Sequence, residues 1–162
     1  MSAASKKVSD SFTTQVQVIT QMHLNGYERL FGGQLMSWMD IVAAVTARRH
    51  SGRNVTTARV EALDFSLPAR ANDTMILTGK VAYVGKTSMY VKVEAYIEEL
   101  NGERMLTNRA WFVMVALDEN DKPVSVPAII PETEEDIGDM AFAARLREAN
   151  SHMLSGSPSA SK

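Results

Sequence analysis

The chain has 162 residues, a net charge of −2 and no cysteine, which predict a single domain and exclude several functions. Without cysteine there is no thiol nucleophile, no disulfide and none of the commonest structural zinc sites. The slightly acidic charge argues against nucleic-acid binding, which needs a clustered basic face. No stretch reaches the roughly 20 apolar residues that span a bilayer, and residues 1–10 lack the apolar core of a signal peptide, so we expect a soluble, cytoplasmic protein without a nucleic-acid or membrane partner.

The first predicted elements are a strand, a polar loop and a long helix. Residues 12–19 are β-prone, and residues 23–29 form the loop. Residues 34–47 are apolar on nearly every face but too short to span a membrane, so we predict a helix buried in the protein. Cationic residues at 48–50 and then Gly52 mark the end of this helix.

Four strands are predicted next, at residues 55–65, 74–84, 87–100 and 103–117. Asn101 and Gly102 predict a type I′ hairpin turn between the last two, because both residues tolerate a positive φ. A sheet that curls around the apolar helix satisfies this order and predicts an α+β fold. Long edge strands could be covered by pairing two copies of the chain.

The C-terminal part is predicted to differ from the rest of the chain. Prolines at 123, 127 and 131 interrupt regular structure, and an acidic run then begins a helix whose first turn we expect in solvent. This divides the chain into a flexible N-terminus at 1–10, a main domain at 11–131, a C-terminal helix at 132–150 and a disordered tail at 151–162.

Asp40 is the only ionisable residue within the predicted apolar helix. Burying a lone carboxylate costs several kcal/mol, so either a partner compensates the charge or the acid is retained for catalysis. Two interpretations stay open from position alone: a general base, or a structural pair with an arginine or backbone group at a dimer interface.

Gly32 and Gly33 immediately precede this helix, where free N–H groups can polarise a carbonyl. Gly33 and Asp40 are seven positions apart, about 10 Å along a helix, which is too far for one substrate carbonyl to meet both groups of one chain. A base from a second chain is therefore geometrically attractive.

Several separated motifs, in this order, resemble the hotdog-fold acyl-CoA thioesterases. The likeness extends over about residues 11–131. The motifs are Asn25, residues 31–40 (FGGQLMSWMD), residues 55–58 (VTTA) with Phe65 and Pro68, residues 84–89 (VGKTSM), and residues 112–118 (FVMVALD) with Lys122, Pro123, Val126 and Pro127.

The resemblance implies roles for particular residues. Asp40 would be the general base or nucleophile, and Asn25 of the opposing subunit would position water or substrate. N–H groups near Gly32 and Gly33 would polarise the thioester carbonyl. The remaining substrate-binding residues would be Thr57 and the turn Gly85-Lys86-Thr87-Ser88, which would lie along coenzyme A with Lys86 near a phosphate.

The same resemblance implies an acyl-CoA substrate, no metal, no cofactor beyond the coenzyme A of the substrate and product, and a dimer that assembles further into a hexamer as a trimer of dimers. Alternatives are a hotdog hydratase or dehydratase, a non-catalytic acyl-CoA sensor and a purely structural oligomer. Dehydration commonly uses a histidine, and residues 34–47 contain none. Residues 1–10 are too short for the DNA-binding unit that such sensors can carry.

Overall fold

A computed structural model describes the backbone of residues 4–155 and the side chains of residues 4–151. The helices are α1 (Val8–Ser11), α2 (Gly32–Ser51) and α3 (Glu134–Ser155), with a 3-10 turn at Gln21–His23. The strands are β1 (Lys6–Lys7), β2 (Thr13–Val18), β3 (Asn54–Phe65), β4 (Thr74–Val84), β5 (Ser88–Glu98), β6 (Arg104–Leu117) and β7 (Ile129–Ile130). No helix within residues 4–155 is long and apolar enough to cross a membrane.

Five strands form one antiparallel sheet in the order β2-β4-β5-β6-β3. Helix α2 contacts all five strands and buries Leu35, Met39, Val42 and Ala43 against the inner face of the sheet. Helix α3 packs on the outer face, where Ala143 joins a second apolar cluster with Tyr90 and Trp111. A long helix enclosed by an antiparallel sheet is the predicted hotdog fold, which the structure confirms.

Helix α2 begins at Gly32 and ends at Gly52, whose φ of 66° is the left-handed conformation that terminates helices. The predicted helix is confirmed and starts two residues earlier than expected. The predicted burial of this helix is incomplete in a single chain, because Ser37 and Ile41 are exposed. Ile41 is 50% exposed.

The turn between β5 and β6 is wider than predicted. The hairpin itself is confirmed, but the Glu99 N–H donates to the Glu103 carbonyl at 2.8 Å, so five residues form the connection. Asn101 Oδ1 accepts from the Glu103 N–H at 2.9 Å, and only Gly102 has a positive φ, 89°. The type I′ prediction is therefore wrong, because the asparagine side chain organises a longer loop.

The N-terminal and C-terminal segments have more regular structure than the sequence predicts. Within residues 1–10, expected to be flexible, Lys6–Lys7 pairs in parallel with Ile129–Ile130 and is followed directly by α1. Helix α3 continues past residue 150 to Ser155, where a disordered tail was expected. The rest of that predicted tail, residues 156–162, lies outside the described residues.

The acidic start of α3 is solvated as predicted at Glu132, Glu134 and Glu135, but the prediction is wrong for Asp136, which is buried. The Asp136 side chain is only 8% exposed and lies 2.9 Å from Lys80 Nζ. Burial alone would raise the pKa of Asp136, but hydrogen bonds from Lys80 and from the N–H groups of Glu132 and Thr133 lower it below its ordinary value. Asp136 therefore helps to attach α3 to the sheet.

Candidate active site

Asp40 is half-buried on α2 and accepts one hydrogen bond within the chain. Its Oδ1 accepts from the Thr57 hydroxyl at 2.6 Å. Thr57 lies on β3 directly before a bulge, and its hydroxyl is also 3.5 Å from the sulfur of Met114. Asp40 Oδ2 has no hydrogen-bond partner among the described residues. The carboxylate is therefore oriented by a neutral donor while one oxygen stays available for a proton, and its partner within the chain is neither an arginine nor a backbone group.

The first turn of α2 carries two unused N–H groups. The Phe31 carbonyl accepts from the N–H groups of Gln34 and Leu35, at 3.0 and 3.1 Å. The N–H groups of Gly32 and Gly33 have no acceptor among residues 4–155, as is usual for the first donors of a helix. They form a site with positive potential that can bind a carbonyl oxygen or an oxyanion.

The aromatic ring of Phe31 lies against Gly33. A Cβ at Gly33 would lie 2.5 Å from a ring carbon of Phe31, so the exposed ring would have to shift to admit a side chain there. At Gly32 a Cβ would make only an ordinary contact of 3.6 Å with the Phe65 ring. The Phe-Gly-Gly motif thus lets an aromatic side chain lie directly against the start of the helix.

Asn25 is exposed and organises the loop before α2. Its Oδ1 accepts from the N–H groups of Tyr27 and Arg29, at 2.9 and 3.3 Å. Its side-chain amino group has no acceptor within the described part of the chain. Asn25 lines a cavity of about 330 Å³ whose lining residues do not include Asp40, and no hydrogen bond joins the two residues within the described part of the chain. The apolar walls of this cavity are Leu30, Leu35, Phe65, Leu67, Pro68 and Ala69.

The turn between β4 and β5 contains the four predicted coenzyme A residues. The Gly85 N–H donates to the Ser88 carbonyl at 2.9 Å, and the carbonyls of Lys86 and Thr87 accept backbone hydrogen bonds from Val126 and Ala116. The N–H groups of Lys86 and Thr87 themselves have no acceptor among residues 4–155. The side chain of Lys86 is exposed.

Strand register places this turn at the same level along the strands as Thr57, the residue that donates to Asp40. Thr57 is opposite Met114, Met114 is opposite Met89, and Met89 is opposite Val84, so one row crosses four strands. Three steps between strands span about 14 Å. The turn follows Val84 directly. In one chain, the Thr57–Asp40 pair and the β4–β5 turn are therefore at the two ends of one row.

Arg147 on α3 is a basic residue near this turn that the sequence did not identify. A Cβ at Gly85 would lie 2.6 Å from Arg147 Nη1, so the guanidinium occupies the space that this glycine leaves open. The two residues are 62 positions apart, and no sequence motif connects them. Only the docking of α3 on the outer face brings them together.

The two histidines whose side chains the structure describes have structural contacts. His23 Nδ1 accepts from the Thr20 N–H at 3.0 Å, and its ring meets the edge of Trp38 at 4.8 Å. His50 is fully buried, and burial lowers its pKa below the ordinary value. Within the described residues, no three histidine or carboxylate side chains are grouped so that they could hold a metal ion.

The chain is similar to known proteins in sequence and in fold. Residues 27–102 match the Thioesterase superfamily. The chain is 40% identical to the acyl-CoA thioester hydrolase YkhA of Bacillus subtilis over 129 residues, which are 79% of this chain and 75% of that protein. An apo hexameric acyl-CoA thioesterase superposes with a TM-score of 0.90 at 34% identity, covering 95% of this chain and 99% of the other.

The acyl-CoA hydrolase of Staphylococcus aureus, solved with butyryl coenzyme A and coenzyme A, superposes with a TM-score of 0.87 at 30% identity, covering 93% of both chains. Three mutants of that enzyme also match, in which one Asn, one Asp or one Thr is replaced by alanine. In its chain the Asn and Asp are 15 positions apart, and the Asp and Thr are 17 apart.

Proposed function

The chain belongs to the acyl-CoA thioester hydrolases, and we propose that Asp40 of one subunit and Asn25 of the opposing subunit carry out the hydrolysis. The observation that carries this proposal is the geometry of Asp40. Thr57 holds one carboxylate oxygen at 2.6 Å, and no described residue occupies the other. A carboxylate that is oriented but not neutralised is suited to act as a general base or nucleophile.

The reaction converts acyl-CoA and water into a carboxylic acid and coenzyme A. The thioester carbonyl binds at the N–H groups of Gly32 and Gly33, which stabilise the negative charge that develops on its oxygen. Asp40 Oδ2 takes a proton from water while the water oxygen bonds to the carbonyl carbon. The carbon–sulfur bond then breaks, and the proton passes from Asp40 to the sulfur. If Asp40 instead attacks the carbonyl directly, water hydrolyses the resulting anhydride, and the products are the same.

Two subunits are needed because of the length of α2. Gly33 and Asp40 of one chain are about 10 Å apart along the helix, so a carbonyl at the helix start is out of reach of that chain's own carboxylate. The exposed side of α2 around Ile41 and the exposed edge strand β3 provide surfaces for a second copy. We propose a dimer that assembles further into a hexamer, as in the hexameric thioesterase that this fold matches.

The assignment of residues is supported by spacing in a related enzyme. Asn25 and Asp40 are 15 positions apart, and Asp40 and Thr57 are 17 apart. These are the two separations found between the mutated Asn, Asp and Thr of the S. aureus acyl-CoA hydrolase. The correspondence connects Asn25 and Thr57 to the same reaction as Asp40.

The test is thiol release from acyl-CoAs of increasing chain length by the wild-type protein and the Asp40→Asn variant. The variant keeps the size of the side chain and an oxygen that can accept from Thr57, but it cannot accept the proton. We expect turnover to fall by about 100-fold to 10,000-fold with the oligomer unchanged. Hydrolysis at the wild-type rate by Asp40→Asn would disprove the role of Asp40.

A further inference from the structure

The guanidinium of Arg147 is held in one place at the start of the β4–β5 turn. Its Nη1 donates to the Tyr83 hydroxyl at 3.1 Å, and the group lies 5.7 Å from the centre of the Tyr83 ring. On its other side it fills the space above Gly85. Arg147 is half-buried, so both contacts limit where its charge can be.

Arg147 is one of the arginines that have no carboxylate partner among the described residues. The arginines that form ion pairs with carboxylates are Arg53, Arg59, Arg104 and Arg109. The hydrogen-bond contacts of Arg147 are with a neutral phenol, which leaves most of its five N–H donors unused. A fixed guanidinium without an anion is preorganised to bind one.

The surroundings of Arg147 add further donors for the same kind of ligand. Lys86 follows Gly85 directly and is exposed, and the N–H groups of Lys86 and Thr87 are unused within residues 4–155. Beyond Arg147, a cavity of about 440 Å³ is lined by Arg59, Tyr90 and Asn150 and leaves room for a bulky anion. Arg147 thus adjoins both the turn and this cavity, and a cation next to free N–H groups is suited to phosphate.

We propose that Arg147 binds a phosphate group of the nucleotide end of acyl-CoA together with Lys86, and this rests on the proposed function. Helix α3 thus contributes to substrate binding although it lies outside residues 27–102, which match the superfamily. Tyr83 and Gly85 act as positioning residues, because one anchors the guanidinium and the other makes space for it. The phosphate is either in the pyrophosphate or at the 3′ position of the ribose.

The experiment compares three substrates with the same acyl group: acyl-CoA, acyl-dephospho-CoA and acyl-pantetheine. For Arg147→Gln we expect the KM for acyl-CoA to rise about tenfold, which is what the loss of one charge-assisted contact costs, with kcat within about twofold of wild type. The KM for acyl-pantetheine should not change, because that substrate has no phosphate. The matched control is Arg145→Gln on the same helix, where the guanidinium lies over Phe142 and away from the turn.

The KM values for the three substrates show whether Arg147 binds a phosphate and which one. A rise in KM that persists with acyl-dephospho-CoA assigns Arg147 to the pyrophosphate, and a rise confined to acyl-CoA assigns it to the 3′-phosphate. An unchanged KM for acyl-CoA, or an equal loss with acyl-pantetheine, would overturn the phosphate role. If Arg147→Gln does not fold, Tyr83→Phe removes the hydroxyl that anchors the guanidinium and should give a smaller rise in KM with the same selectivity.

Failure of the proposed function gives a different result. If the wild-type protein hydrolyses none of the three substrates, hydrolysis is disproved, and calorimetry with coenzyme A alone decides the role of Arg147. We expect affinity about tenfold weaker for Arg147→Gln than for wild type. Equal affinities would overturn the phosphate role independently of catalysis.

Discussion

Carboxylates on the inner and outer faces of the sheet have opposite kinds of partner, a neutral hydroxyl on the inner face and ammonium groups on the outer face. On the inner face, Asp40 receives one hydrogen bond from a neutral hydroxyl. On the outer face, Lys80 and Lys92 lie 2.8 and 2.7 Å from Asp139, and Lys80 also contacts Asp136. A carboxylate paired with ammonium groups is stabilised in its charged form and is a poor proton acceptor. Asp40 is therefore suited to catalysis, whereas Asp136 and Asp139 attach α3 to the sheet.

The largest effect on the inner face, after the loss of Asp40 itself, is expected from Gly33→Ala. The new Cβ would lie 2.5 Å from the Phe31 ring, which packs against the helix start, and we expect the resulting shift to disturb the N–H donors there. Loss of an oxyanion donor lowers kcat by about 100-fold to 1,000-fold. Gly32→Ala is the matched control, because its Cβ makes only an ordinary contact with Phe65. Equal kcat values for the two variants would contradict this account of the helix start.

Thr57→Val should lower kcat by about tenfold, because Asp40 loses the donor that orients it. Thr57→Ser keeps the hydroxyl and is expected to restore most of the rate. Melting temperatures of both variants measure any change in fold stability, which should be small because Thr57 is exposed in one chain. A valine variant as active as wild type would remove Thr57 from the site.

Substitutions on the outer face should change the free energy of unfolding and leave kcat unchanged. Asp136→Asn removes one partner of the partly buried Lys80, which we expect to lower the free energy of unfolding by about 1–3 kcal/mol. Denaturant unfolding measures this loss, and kcat of the folded enzyme should stay near wild type. The exposed Glu148→Gln on the same helix is the control. If Asp136→Asn lowered kcat while leaving stability intact, the division between the two faces would be wrong.

His50 is expected to give the smallest effect, a mild loss of stability in weak acid. Burial lowers its pKa in the folded state below the ordinary 6.5, so the unfolded chain binds its proton first as the pH falls. Stability should therefore rise with pH through the window just below 6.5. The melting temperature of wild type between pH 7.5 and 5.5 should fall more than that of His50→Gln. Parallel curves would show that His50 does not contribute.

The elements that the sequence predicts well are those with strong local signals. The apolar run that forms α2, its end at Gly52 and the boundaries of β4 follow from composition and turn residues that act locally. The site residues Asp40 and Gly33 stand out because each breaks a local pattern. The fold class and the candidates Asp40 and Gly33 are therefore accessible from local sequence, whereas Asn25 and Thr57 are implied only by the family resemblance.

What the sequence does not predict depends on long-range packing. The acidic start of α3 has the composition of a solvated turn, and only its docking on Lys80 and Lys92 shows that Asp136 is buried. Arg147 meets Gly85 for the same reason. The wide turn at Asn101 depends on a side-chain hydrogen bond that competes with the backbone pattern of a two-residue hairpin.

The central claim is that one active site draws on two chains, and mixing two inactive variants tests it most directly. Asp40→Asn removes the base, and Asn25→Asp removes the amino group while keeping the oxygen that accepts from Tyr27 and Arg29. After subunit exchange, each mixed dimer holds one intact site, so an equal mixture should recover about a quarter of wild-type activity. No recovery in dimers verified to contain both variants would mean that each site is built from a single chain.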